Sequence, residues 1–175
     1  MQAVGNALEF QRAKNFLHGI YSDWCKIQVL RDRNTIKVLT TTEEDGTPHT
    51  VFKGSLTALD EKTIAYAEVF EQSATYQNML RNYWRKRLVS VFLFDPSSGG
   101  AFQIKGKAWK FLYQGPIRDE FLKRTWEMMP DANPAGVWLI RPEKVAEETY
   151  DARQNELMAK FPDYKLWWSY IGKRP

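Results

Sequence analysis

The sequence predicts a mainly β domain with peripheral helices, an α+β chain folded as a small six-stranded antiparallel barrel. Three observations lead there. About six runs rich in β-branched and aromatic residues are spread between Thr35 and Val145. The turns between them are short, and several carry hairpin chemistry, which favours a meander over parallel crossover units. Helical periodicity is confined to segments before, between and after these runs.

From Leu8 to Leu30, the residues Phe10, Ala13, Leu17, Ile20, Trp24 and Ile27 recur at three- and four-residue steps. That is the stripe of an amphipathic helix packing across a sheet. Thr35 to Thr42 is a strand, Asp45-Gly46 suits a tight hairpin, and a second strand runs from Pro48 to Thr57. On that strand Phe52 and Leu56 share one face, while Val51, Lys53 and Ser55 share the other. A third strand, Thr63 to Val69, follows the short turn at Asp60-Glu-Lys62. Ser73 caps a helix whose apolar side carries Tyr76, Met79, Leu80 and Tyr83.

Leu88 to Phe94 is the next strand, and Asp95-Pro-Ser-Ser-Gly-Gly100 turns into another that begins at Ala101. There Phe102, Ile104 and Ala108 hold one parity while Trp109, Phe111 and Tyr113 hold the other, so a β-bulge is expected near Gly106. Gly115-Pro116 ends that strand. A helix over Ile117 to Met128, a strand over Gly136 to Val145 and a helical start at Asp151 follow, before an aromatic tail containing Trp167-Trp168.

At 175 residues and 43% hydrophobic content the chain supports one core and is too short for two ordinary domains, so residues 1–175 read as one domain. Lys and Arg total 25 against 21 acids, a net +4 too mild for a dedicated nucleic-acid binder. No stretch approaches the ~20 apolar residues of a membrane helix, and no secretory signal opens the chain; a cytoplasmic protein is expected. One Cys and two His leave too few ligands for a Cys/His zinc site.

Side-chain catalysis finds little support. Cys25 and His18 lie on an apolar helix stripe two turns apart, beyond direct hydrogen bonding, and there is no Gly-x-Ser-x-Gly elbow. Gly-rich phosphate loops are absent as well. A bound nucleotide would therefore rely on Lys53 and Ser55, with Ser73 and Thr75 at a helix start where free amides and the dipole favour an anion. The basic and aromatic run Arg81 to Leu88 reads as a solvated helix end.

Four pieces in order carry a resemblance. They are Lys37-Val-Leu-Thr-Thr-Thr-x-x-Asp-Gly-Thr-Pro-His49, then Val51-Phe-Lys-Gly-Ser55, then Glu68-x-x-x-x-Ser-x-Thr-x-x-Asn78, and Gln103-Ile-Lys-Gly-Lys-Ala108 before Gln114-Gly-Pro116. Together they resemble the FMN-binding split-barrel family, related to pyridoxamine 5′-phosphate oxidase. The resemblance implies a split β-barrel and an FMN-binding homodimer with the flavin at the subunit interface. It implies further that Val51, Phe52, Lys53, Gly54 and Ser55 line the ring and ribityl chain, and that Glu68 and Val69 pass beside it. Ser73, Thr75 and Asn78 would form the phosphate turn.

Where the oxidases of that family carry a Ser-Arg-Lys clamp, this chain has Ser73-Ala74-Thr75, and an Arg of their second strand is Val51. Vitamin-B6 oxidase activity is therefore not expected, and Lys53, or Lys105 from the fifth strand, would supply the missing charge. The reading is an FMN-dependent oxidoreductase acting on a small-molecule substrate or electron donor, with no residue marked as catalytic. A non-enzymatic flavin or electron carrier is the alternative. Deazaflavin or haem are others, with His49 the only haem ligand near the barrel.

Overall fold

The structure, a computed structural model, describes residues 28–162. Of the first helix only the closing turn, residues 28–31, falls in that range; its stripe up to Ile27, with His18 and Cys25, lies outside the described residues, as does Trp167-Trp168. Strands β1 (Ile36–Thr42), β2 (Pro48–Phe52), β3 (Thr57–Asp60) and β4 (Thr63–Glu68) lead into helix α1 (Ala74–Trp84). Then come β5 (Leu88–Asp95), β6 (Gly100–Leu112), α2 (Pro116–Met128), β7 (Gly136–Glu147) and α3 (Tyr150–Lys160). No described helix is long and apolar enough to cross a membrane.

The seven strands form one antiparallel sheet in the order β2-β1-β5-β6-β7-β4-β3. Its two edge strands are consecutive in sequence, joined only by residues 53–56. Laid flat, seven strands span about 29 Å between edges. Phe52 to Thr57 reaches at most about 18 Å. The sheet therefore curls until its edges meet. The join is visible: Lys53 N–H donates to the Lys37 carbonyl on β1 at 3.0 Å, and Ser55 Oγ accepts the Ala67 N–H on β4, also at 3.0 Å.

This join corrects the expected strand count from six to seven. The run from Pro48 to Thr57 is not one strand, because the chain turns at Lys53, and the Leu56 N–H donates to the Lys53 carbonyl. The alternation read across it fails for the same reason. Val51 faces the core, Phe52 stands 77% exposed, and Leu56 is fully buried beyond the turn.

Leu39 and Val91 from one side of the curl meet Leu56, Ile64, Tyr66 and Trp138 from the other in a single apolar core. Helix α1, capped by Ser73, adds Tyr76 and Met79 to it; Tyr83, expected on the same side, is 40% exposed. Helix α2 covers the outside of β4 and β7, where Phe121 packs on Ala65, Ala67, Val137 and Leu139. Strand β4 is consequently buried on both faces.

The expected bulge is present, with register shifts between β6 and β7 at Lys105/Gly106 and Ala108/Lys110. Glycine is required there: a Cβ on Gly106 would lie 2.6 Å from the Arg141 carbonyl oxygen.

Candidate functional site

The residues expected to hold a ligand sit where the curl closes, among the β2–β3 turn, the end of β4 and the start of α1. Glu68 is the centre of the group. It closes β4, is 1% exposed, and its carboxylate meets three donors from three places in the chain. Lys53 Nζ reaches its two oxygens at 3.1 and 3.2 Å, Ser73 Oγ donates to Oε1 at 3.2 Å, and the Tyr66 hydroxyl donates to Oε2 at 3.4 Å. Each donor is placed by local structure. Lys53 follows the end of β2, Ser73 is fixed as an N-cap by accepting the Tyr76 N–H at 3.0 Å, and Tyr66 lies two residues back on β4.

Burial together with the Glu68 charge pushes the Tyr66 phenol well above its ordinary value, so it stays a neutral donor. The Lys53 ammonium also lies 4.9 Å from the centre of the Tyr66 ring, a cation–π contact.

A second network ties α1 to the first hairpin. His49 Nε2 and Thr75 Oγ1 share a hydrogen bond at 3.2 Å, and Glu43 Oε1 lies 3.6 Å from the other ring nitrogen, Nδ1. Asn78 Nδ2 donates to Thr41 Oγ1 at 3.3 Å, and Thr41 Oγ1 donates to the His49 carbonyl at 3.4 Å. Thr75 and Asn78 are both buried.

Of the expected ligand residues, the structure thus unites Lys53, Glu68 and Ser73 directly, with Thr75 and Asn78 on the same helix. Ser55 is spent on β4, where it also donates to the Ala67 carbonyl at 3.4 Å. Gly54 is exposed in the turn, and Val69 is half-buried just past β4. Lys105 is not part of the group: it is exposed on β6, paired with Ser90 and Lys144 across the sheet.

This arrangement does not fit a free phosphate clamp. Lys53, the one cation that the fold brings into this group, is neutralised by Glu68, and Ser73, Thr75 and Asn78 already bond to protein partners. Sequence reasoning placed Lys53 and Glu68 on neighbouring strands, but their direct pairing depends on the turn at Lys53. His49, which the sequence offers only as a haem ligand, instead bonds to Thr75 on α1. His49 shares the inward parity of Val51 on β2, and that alternation was its only signal.

No protein-family model matches the sequence, and no curated protein matches it. Solved structures do. HupZ from Group A Streptococcus superposes with a TM-score of 0.59 at 19% identity, covering 71% of this chain and 91% of that one. An FMN-binding protein from Syntrophomonas wolfei gives 0.56 at 15% identity, covering 77% of this chain and 97% of its own. A Clostridium acetobutylicum protein of the pyridoxinephosphate oxidase family, related to general stress protein 26, gives 0.55 at 9%, over 73% and 88% of the two chains. The chain therefore has the split-barrel fold found in FMN-binding and pyridoxinephosphate oxidase-family proteins.

Proposed function

We propose that this protein binds a flavin of the FMN type and works as an oxidoreductase, with the flavin held between two copies of the chain. One observation supports this reading above the others: among the described residues, a row of apolar side chains beside the site is only partly covered. Phe52 on β2 pairs across to Val38 on β1, and Val38 to Phe92 on β5. These three project outward, Phe52 being 77% exposed, and Ile36, 40% exposed, lies next to them, paired with Phe94. Scattered exposed apolar residues need no explanation, but a continuous cross-strand row marks an interaction surface. A second barrel on this face would bring its own atoms next to the Val51–Gly54 edge and create a cleft that one barrel lacks.

Redox chemistry in this reading belongs to the bound flavin, so the chain needs no nucleophile of its own. The chain contributes the apolar wall and, through Glu68, a carboxylate where a phosphate was expected. The test is reconstitution of the purified protein with FMN and, separately, with riboflavin, followed by visible absorption and by reduction with a reduced nicotinamide. Bound flavin that is reduced supports the oxidoreductase; bound flavin that no donor reduces leaves a carrier and contradicts it.

A further inference from the structure

Next to the β2–β3 turn, between β1 and helix α2, lies a cavity of about 260 Å³ that shares only Gly54 and Ser55 with the residues expected to line a flavin. Its walls hold four cations, Arg31, Arg33, Lys37 and Arg124, against one acid, Glu127. Gly54, Ser55 and Thr57 add polar lining, and the buried Leu56 and Phe121 with the exposed Met128 add apolar lining. A neighbouring hollow of about 340 Å³ shares Arg31, Arg33 and Arg124 with it.

Two of the four charges are committed. Arg31 donates to the Ala58 and Leu59 carbonyls at 3.1 and 3.2 Å, and Arg124 pairs with Glu120 on its own helix. The Lys37 ammonium and the Arg33 guanidinium have no hydrogen-bond or ion-pair partner among the described residues. Lys37 is the unusual one. It lies on the inward parity of β1 with Leu39 and Thr41, and it is only 6% exposed. A lysine buried to this degree normally has a countercharge, because removing an ammonium from water without one is costly. Here Asp32 acts only from nearby: burial pushes the Lys37 ammonium below its ordinary value, and the Asp32 charge opposes that shift.

We infer that this cavity is a binding site for one anionic group, a phosphate or carboxylate, on a small molecule, with Lys37 and Arg33 as its charge partners. An anion there would give Lys37 a countercharge, which it does not have among the described residues, and the Arg33 guanidinium adds forked donors suited to either group. The volume is just under the usual range for drug-sized ligands. It suits a monophosphate or a small carboxylic acid and is too small for a dinucleotide. Leu56 and Phe121 would take the ligand's carbon skeleton. The inference stands without a flavin, because it uses none of the residues grouped around Glu68.

The probe is inorganic phosphate, titrated calorimetrically into the full chain at low ionic strength. Wild-type protein is expected to bind about one phosphate per chain. Lys37→Met should weaken this at least about tenfold, and Lys62→Met, an equal charge change in an exposed turn, should leave it unchanged. Removing a charge that has no ion pair among the described residues should not unfold the protein, which circular dichroism checks, and Arg33→Gln gives a second variant at an exposed position with the same expected direction. Repeating the titration with FMN present separates two sources of the anion: competition assigns the site to the flavin's own phosphate, and independent binding assigns it to a separate substrate. No phosphate binding by the wild type, or equal loss in Lys37→Met and Lys62→Met, overturns the inference.

Discussion

Lys53 and Glu68, fifteen residues apart in sequence, meet side chain to side chain, with the ammonium nitrogen 3.1 and 3.2 Å from the two carboxylate oxygens. Both are mostly withdrawn from water, at 15% and 1% side-chain exposure. Pairs buried this way do not necessarily stabilise a fold relative to apolar replacements, but losing one partner strands the other. Lys53→Met is therefore expected to destabilise the protein by about 3–5 kcal/mol, and the double variant Lys53→Met, Glu68→Gln to recover much of that loss. Urea unfolding measures both. A single-variant cost under about 1 kcal/mol would mean that the pair is screened by solvent.

The same contact bears on ligand choice. With Glu68 occupying Lys53 and Ser73, a phosphorylated flavin has to displace a carboxylate, whereas riboflavin does not. Glu68→Gln removes the competing charge and leaves a hydrogen-bonding side chain of similar shape. FMN affinity is expected to rise by about tenfold in this variant, with riboflavin affinity little changed, as flavin fluorescence quenching would report. Equal changes for the two flavins would place the phosphate elsewhere.

The partly covered row on β2, β1 and β5 makes a prediction about assembly. Phe52 contributes nothing to the core of its own barrel, so Phe52→Asp should leave the thermal midpoint within a few degrees of wild type. It would put a charge in the centre of the proposed interface. Sedimentation velocity should find a dimer for the wild type and a monomer for the variant. A wild-type monomer at micromolar concentration, or an unaffected dimer, contradicts the use of this face.

Acid stability has a local contributor at the β5–β6 turn. The Asp95 carboxylate accepts the Ser97 N–H and the hydroxyls of Ser97 and Ser98, and the bonds from Ser98 and Ser97 hold its pKa down to about 2. A carboxyl whose folded pKa is depressed adds stability that is complete above its unfolded value, near 3.8, and is lost as the pH falls toward about 2. Asp95→Asn should flatten the stability profile in that window and leave its slope above pH 5 unchanged. Thermal melts from about pH 2 to pH 6 would show this, and an identical acid slope in both proteins would count against the turn's role.

Much of the fold was legible because it rests on local signals. Ser73 does cap a helix, Asp45-Gly46 does turn a hairpin, and the parity slip near Gly106 does mark a bulge, since each is decided within a few residues. The break after Phe52 was not legible. Alternation runs unbroken through Val51, Phe52 and Lys53, and only the meeting of two sheet edges forces the chain to turn there. The site divides in the same way. Ser73, Thr75 and Lys53 stand out in the sequence as polar side chains at a helix start and on one face of a strand, but the carboxylate that engages two of them comes from a strand whose register no short-range pattern reveals. Lys37 did leave a trace, as a lysine in step with Leu39 and Thr41. Reading it as buried required knowing which face of β1 looks inward.

The most direct test of the whole account is flavin uptake by the purified full-length protein. Wild-type chain incubated with FMN or riboflavin and freed of excess by gel filtration should keep about one flavin per chain, with the two visible bands of oxidised flavin and quenched fluorescence. Folded protein that emerges colourless from both incubations would contradict the account.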